Sequence, residues 1–333
     1  MKRRDFIKMS AGLGAVMAST TPLSPAFAQT KMVLKAADVH PLGYPTVEAV
    51  LAMGKKLETA TNGRLSIQMF PSMQLGGEKE MIEQAQLGAL QIARISVGAV
   101  GPVVDDVNVF NMPFVFRNSK HMEKVIDGEI GDELLNKIST NEKTNLIALC
   151  WMNAGSRNVY NNKRPIKSMA DLKGLKVRMM GNPLFVDTMN ALGGNGVALG
   201  FDQVFASMQT GVVDGAENNA PSFMAQNHYQ VAKYFTMTEH LIIPELVVFS
   251  RASWQKLSPE DQALIKKLSK DMQQEQRVLW YAAENAAIEK MKAAGTEIIT
   301  DIDKKPFQDA VKPVWDKYGA KYAAMVKRIE AVN

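Results

Sequence analysis

Three short runs near the start of the chain decide the fold: Met32-Val33-Leu34-Lys35-Ala36-Ala37-Asp38, Leu65-Ser66-Ile67-Gln68-Met69-Phe70 and Leu90-Gln91-Ile92-Ala93-Arg94-Ile95. Each has the length and apolar content of a strand. The first runs into the loop His40-Pro41-Leu42-Gly43-Tyr44-Pro45, and Pro71 closes the second. Between these two, Val47, Val50, Leu51 and Leu57 recur at helical spacing as far as Ala60, and the pattern stops at Asn62-Gly63. Gly76-Gly77 precedes a second helix from about Glu78 to Leu87. The series is βαβαβ, whose crossovers give a parallel sheet with right-handed connections.

The alternation resumes downstream. Asn145–Trp151 reads as a strongly apolar strand, and Ser168-Met169-Ala170-Asp171 as a capping box for a short helix ended by Gly174. Leu175–Met179 is then a strand, Pro183–Leu192 and Phe201–Gln209 are helices, and Val212–Ala216 is a further strand. Leu246–Phe249 has the composition of a strand crossing back to the first lobe. Ser258-Pro259-Glu260-Asp261 caps a long helix running to about Ala294, and the tail Lys305–Val332 is mostly helical. The class is α/β in two lobes: 29–154 with about 244–283, and 155–243 with about 305–333. A small ligand belongs in the cleft, where loops at the carboxyl ends of strands converge.

A chain of 333 residues has room for two domains, and at 46% hydrophobic and 22% charged it can bury a sizeable core. The single cysteine, Cys150, excludes an intrachain disulfide and sits in Ile147-Ala148-Leu149-Cys150-Trp151 as a core residue. Residues 1–28 read as a signal peptide: Lys2, Arg3, Arg4 and Lys8, a weakly apolar run from Met9 to Ser19, then Ala26-Phe27-Ala28. Arg3-Arg4-Asp5-Phe6-Ile7-Lys8 is close to a twin-arginine export signal, so the expected location is the periplasm. That segment carries a net +3 of the chain's +5, which leaves the remainder at +2 with little electrostatic reason to bind nucleic acid. No later stretch reaches the roughly 18 apolar residues of a membrane span.

Catalytic signatures are missing from the sequence. The four histidines, His40, His121, His228 and His240, include no i,i+4 pair, and there is no Cys-x-x-Cys, nucleophile elbow or P-loop. Gly193-Gly194-Asn195-Gly196 follows a helix and does not join a strand to one, so it is a turn. Asp105-Asp106 reads as a solvated turn. Neither cofactor nor metal is expected, and the chain is not read as an enzyme.

The middle of the chain carries a recognisable spacing. Arg164-Pro165-Ile166-Lys167-Ser168-Met169-Ala170-Asp171-Leu172-Lys173-Gly174-Leu175-Lys176-Val177-Arg178 resembles the stretch leading to the ligand arginine of TRAP transporter solute receptors. These are the extracytoplasmic binding subunits of tripartite ATP-independent periplasmic transporters. Phe205-Ala206-Ser207-Met208-Gln209-Thr210-Gly211-Val212-Val213-Asp214-Gly215-Ala216-Glu217-Asn218 resembles a second signature of the family. A third is similar to Gly63-Arg64-Leu65 with Phe70-Pro71 and Gln74-Leu75-Gly76-Gly77-Glu78. The resemblance spans nearly all of residues 30–330. It implies a two-lobed periplasmic binding protein (Venus-flytrap) fold, a helix of about 259–294 spanning both lobes, a carboxylate ligand clamped between them, and delivery to a small four-helix and a large multispanning membrane subunit; the expected state is a monomer.

By that resemblance the ligand arginine is Arg178, whose planar guanidinium matches a carboxylate with two parallel N–H donors. Asn218 supports the same carboxylate, and Arg157 occupies a position of a second polar contact or of a hinge-region surface charge. Glu78 either meets a ligand hydroxyl or only complements its helix N-terminus. Arg94 interrupts an apolar strand and needs a partner, either a second polar end of the ligand or a structural carboxylate. His40, with Tyr44 beside it, either donates to a hydroxyl or caps its loop. Arginines joined by hydroxyl-binding groups point to a sugar acid, a hexuronate such as D-glucuronate or D-galacturonate. The alternatives are a C4-dicarboxylate receptor, an exported enzyme acting on a sugar acid, and a receptor that signals to a sensor kinase.

Overall fold

The computed structural model describes residues 31–333, so the signal-peptide reading of 1–28 lies outside the described residues. Eleven strands follow in chain order among them. The first four are β1 (Met32–Ala37), β2 (Leu65–Phe70), β3 (Ile92–Ser96) and β4 (Leu146–Met152). Next come β5 (Ser156–Asn161), β6 (Lys176–Met179), β7 (Asn195–Ala198) and β8 (Gly215–Asn218). The last three are β9 (Tyr234–Ile242), β10 (Glu245–Ser250) and β11 (Glu297–Ile299).

They form two sheets. The first has the order β2-β1-β3-β10-β4, with β1 parallel to β2 and β3 and with β10 antiparallel to β3 and β4. The expected βαβαβ unit is therefore present, its crossovers being α1 (Pro45–Ala60) and α2 (Glu78–Leu87). Strand β10 crosses back into this sheet, as its apolar run Leu246–Phe249 predicted. The second sheet has the order β11-β9-β5-β8-β6-β7. Its edge strands β7 and β11 are not expected from the sequence: Asn195 and Gly196, read as part of a turn, instead pair with Lys176 and Val177, while β5 and β9 are masked because their buried positions include polar groups, Asn158, Thr236, Thr238 and His240, which hide the apolar signature of a core strand.

Several boundaries move for local reasons. The helix expected over Phe201–Gln209 opens as a 3-10 turn at Phe201–Gln203 before Val204–Gln209 becomes α-helical. The strand expected at Val212–Ala216 begins only at Gly215, because Val213 N still bonds back to Ser207 O. Gly215 is required there: a Cβ would stand 2.2 Å from Tyr160 O on the paired strand. The Ser168–Asp171 capping box forms as read.

Ser258 caps the long helix Pro259–Ala293, accepting from Asp261 N at 3.2 Å, with proline in the first turn. Acidic residues lead it and Lys290 and Lys292 end it, in keeping with the helix dipole. Its 35 residues extend about 50 Å at 1.5 Å per residue. It packs on α1 and β4 and on the short helix Ala220–Ala225. Strand β4 is a sheet edge, and the helix closes it: Gln273 accepts from Trp151 N at 3.1 Å, and Gln276 both accepts from Asn153 N at 2.9 Å and donates to Asn153 O at 2.8 Å. The crossing Asn153-Ala154-Gly155 between the sheets is thereby pinned. The tail, assigned to the second lobe from sequence, touches both. Tyr318 and Lys317 bond Asp187, whereas Lys321 and Tyr322 bond Asp105 and Arg328 bonds Glu133. Cys150 is fully buried, and burial pushes its thiol up to about 12, as befits a core residue. No helix among the described residues is long and apolar enough to cross a membrane.

Candidate functional site

The carboxyl ends of β1 and β3 face those of β6 and β8 across a cleft. The side chains between them line about 310 Å³ of space that is continuous with solvent. Glu78, Arg178, Met180 and Phe201 also line an adjoining hollow of about 590 Å³. All six site residues expected from sequence line the cleft: His40, Glu78, Arg94, Arg157, Arg178 and Asn218.

On the first lobe, Arg94 is 1% exposed and surrounded by carboxylates. Its Nη2 donates to Asp38 at 2.5 Å and lies 2.8 Å from His40 Nδ1. Its Nη1 donates to Glu78 at 3.1 Å and also to Glu245. Of the two readings of Arg94, the structure supplies the structural carboxylates. Burial alone would lower this guanidinium, but the three acids hold it well above its ordinary value. Burial would likewise raise Asp38, yet Arg94 and His40 outweigh it and hold that carboxyl well below the usual range. Glu245 goes the other way: burial, with the like charge of Glu78 added, pushes it up to about 7 despite Arg94.

On the second lobe, Arg157 is engaged by one partner strand. Its Nε and Nη2 grip Glu217 at 2.5 and 2.7 Å, Nη2 also reaches Glu217 O, and Nη1 donates to Asn218 Oδ1 at 3.0 Å. The register that sets Asn158 opposite Asn218 across β5 and β8 brings these groups together. It is thus no surface charge. Burial would raise Glu217, but Arg157 and His240 bring it down to about 2. Asn218 Oδ1 also accepts from Asn219 N at 2.8 Å, which leaves its amide donors for the cavity.

Arg178 differs from both. It is 2% exposed, its Nε donates to Leu199 O at 2.8 Å, and its guanidinium lies 5.7 Å from the Phe201 ring centre. Among the described residues no hydrogen bond or ion pair engages its two terminal nitrogens. Burial lowers its affinity for a proton, Glu217 partly offsets this, and the like charge of Arg157 adds to it. A buried cation with two unengaged donors beside a cavity can accept an anion through charge-assisted hydrogen bonds.

The lobes touch through hydrogen bonds. Ser222, on the helix Ala220–Ala225, meets His40 Nε2 at 3.1 Å and Tyr44 Oη at 2.8 Å, while the His40 and Tyr44 rings stack 3.7 Å apart. His40 therefore does more than cap its loop: it ties Asp38 (3.0 Å) to the opposite lobe. Burial, then Arg94, lowers its pKa and keeps the ring neutral at neutral pH. Gly98 permits close approach elsewhere along the seam, since a Cβ there would lie 2.5 Å from Phe185.

Sequence reading passed over Asp38, Glu245, Asn219 and Ser222. Glu245 carries a usable signal, a lone acid opening the apolar run Leu246–Phe249, complementary to the lone base in β3. Ser222 carries none, because its partner His40 lies 182 positions away.

Residues 36–321 match the family described as Bacterial extracellular solute-binding protein, family 7. The chain is similar to a TRAP periplasmic solute binding protein from Pseudomonas putida F1 with bound D-glucuronate. The two are 58% identical with a TM-score of 0.89, over 91% of this chain and 98% of that one. A protein of the same description from Citrobacter koseri, also with bound D-glucuronate, is 46% identical with a TM-score of 0.89, over 91% of this chain and 100% of that one. The open apo structure from Citrobacter koseri superposes less well, with a TM-score of 0.79 at 44% identity over 90% and 98% of the two chains. A third, from Bradyrhizobium sp., holds α/β-D-galacturonate and is 42% identical with a TM-score of 0.86, over 90% of this chain and 99% of that one.

Proposed function

The chain belongs to the bacterial extracellular solute-binding protein family 7, the TRAP solute receptors, which bind their solutes and do not transform them; on that premise we propose that it closes its lobes around a hexuronate, D-glucuronate or D-galacturonate. The observation that carries this reading is Arg178: a buried guanidinium, aimed into the interlobe cavity, whose terminal nitrogens no protein group engages among the described residues. A ligand carboxylate there gains two charge-assisted hydrogen bonds of roughly 1.5–3 kcal/mol each, a large part of the roughly 8 kcal/mol that corresponds to micromolar affinity. The amide of Asn218 adds a donor beside it.

The first-lobe wall suits hydroxyls, since Glu78 and Glu245 each have an oxygen with no protein partner among the described residues. Binding proceeds by population shift. Open and closed forms exchange, and contacts made from both walls favour the closed one. The better match to the ligand-bound than to the open Citrobacter koseri structure supports the view that the present arrangement is the closed form. Relatives named periplasmic support a periplasmic setting. The closed monomer then docks on the small and large membrane subunits, which draw on an ion gradient.

A thermal-shift and calorimetric screen tests the ligand class. D-glucuronate or D-galacturonate is expected to stabilise the protein and bind at micromolar Kd or tighter, with succinate and malate inert. Stabilisation by the C4-dicarboxylates alone would overturn the hexuronate reading.

A further inference from the structure

The two walls of the cleft carry opposite charge. On the second lobe Arg157 is neutralised by Glu217, so the unengaged Arg178 leaves that wall positive. On the first lobe one guanidinium, Arg94, serves three acids, Asp38, Glu78 and Glu245, so that wall is acidic in excess. The first wall also has no cationic donor to offer. Arg94 Nη1 and Nη2 are engaged by those acids, and its Nε is buried out of reach of the cavity. Both ring nitrogens of His40 are engaged, by Asp38 and Ser222.

From this we infer that Glu78 and Glu245 form a specificity filter that orients the ligand and rejects a second carboxylate. The inference rests on the hexuronate reading and adds which end of the sugar faces which lobe. The ligand carboxylate lies against Arg178, and the hydroxyls at its far end donate to Glu78 and Glu245. Hydroxyl-to-carboxylate bonds are short and strong. A second anionic group in the same place would meet two carboxylates at close range, beside the buried Arg94 cluster where screening is weaker than in bulk water. A sugar diacid therefore binds worse than the monoacid although it offers more charge to the arginines. The elevated proton affinity of Glu245 agrees with this crowding of acids.

The test compares D-glucuronate with D-glucarate, which carries a carboxylate at each end of the same six-carbon chain, by calorimetry at pH 8.5, above the value of about 7 to which Glu245 is raised, on wild type, Glu78→Gln and Glu245→Gln. Circular dichroism confirms folding. Wild type is expected to prefer glucuronate by about 100-fold or more. Each variant is expected to narrow that ratio at least tenfold, about 1.4 kcal/mol. Ring shape differs between the two sugars, but equally in every variant, so the change in ratio reads the charge. A wild-type ratio within threefold would overturn the filter. So would an unchanged ratio in both variants, or loss of both ligands in both folded variants, which would make the acids a scaffold for Arg94 only. Should Glu245→Gln fail to fold, Glu78→Gln, at the more accessible start of α2, carries the comparison. Binding of neither hexuronate by wild type would instead overturn the hexuronate reading itself.

Discussion

Arg94 and Arg178 are both arginines on parallel strands, both almost fully buried, and both line one cavity. They differ in who compensates the charge. Arg94 is held by Asp38, Glu78 and Glu245, each supplied by a different element of its own lobe. Arg178 has one carbonyl and the face of one aromatic ring. A buried charge without a partner is costly, so a fold that leaves one at its cleft has reserved it for something that arrives. The same residue type is architecture in one lobe and, in the proposed function, recognition in the other.

The contrast can be broken from the Arg94 side with the largest effect on stability. Arg94→Met leaves three carboxylates facing one another and is expected to cost about 3–5 kcal/mol of unfolding free energy in urea. A loss under 1 kcal/mol would mean that the cluster does not hold the first lobe together.

A smaller effect sharpens the role of the seam. Ser222→Ala removes the partner of both His40 and Tyr44 and touches neither arginine. At about 0.5–1.5 kcal/mol per hydrogen bond, it is expected to weaken hexuronate binding about tenfold, mainly through faster release in stopped-flow measurements, with little change in melting temperature. Unchanged release would show that closure does not depend on this contact.

The smallest effect is in pH dependence. Glu245, faced by Arg94, Glu78, Arg157 and the Tyr44 phenol, has its proton affinity raised from 4.5 to about 7. Between these values the folded state binds the extra proton. Its contribution is therefore full below 4.5 and is lost as pH rises through 7. Glu217 and Asp38 have the opposite sign: their contributions are present at neutral pH and are lost in acid, for Glu217 as pH falls through about 2. Glu245→Gln is accordingly expected to flatten the decline in calorimetric melting temperature between pH 5 and 8. An unaltered profile would contradict the assignment.

What could be read in the sequence follows from the range of the interactions. The βαβαβ unit, the Ser258 cap and the Ser168–Asp171 box depend on neighbours within a turn or a strand, and they formed where expected. Arg94 announced that it needed a partner but not which one, because Glu245 lies 151 positions away. Strands β5 and β9 escaped because their polar residues face inward. Ser222 was illegible because its role exists only when the lobes meet.

In the proposed function the Arg178 guanidinium is the group that grips the ligand. Isothermal titration of D-glucuronate and D-galacturonate into wild type and Arg178→Ala tests it most directly. At least a 100-fold loss of affinity is expected in the variant, with its melting temperature without ligand within a few degrees of wild type. Affinity retained within threefold in a folded variant would contradict it.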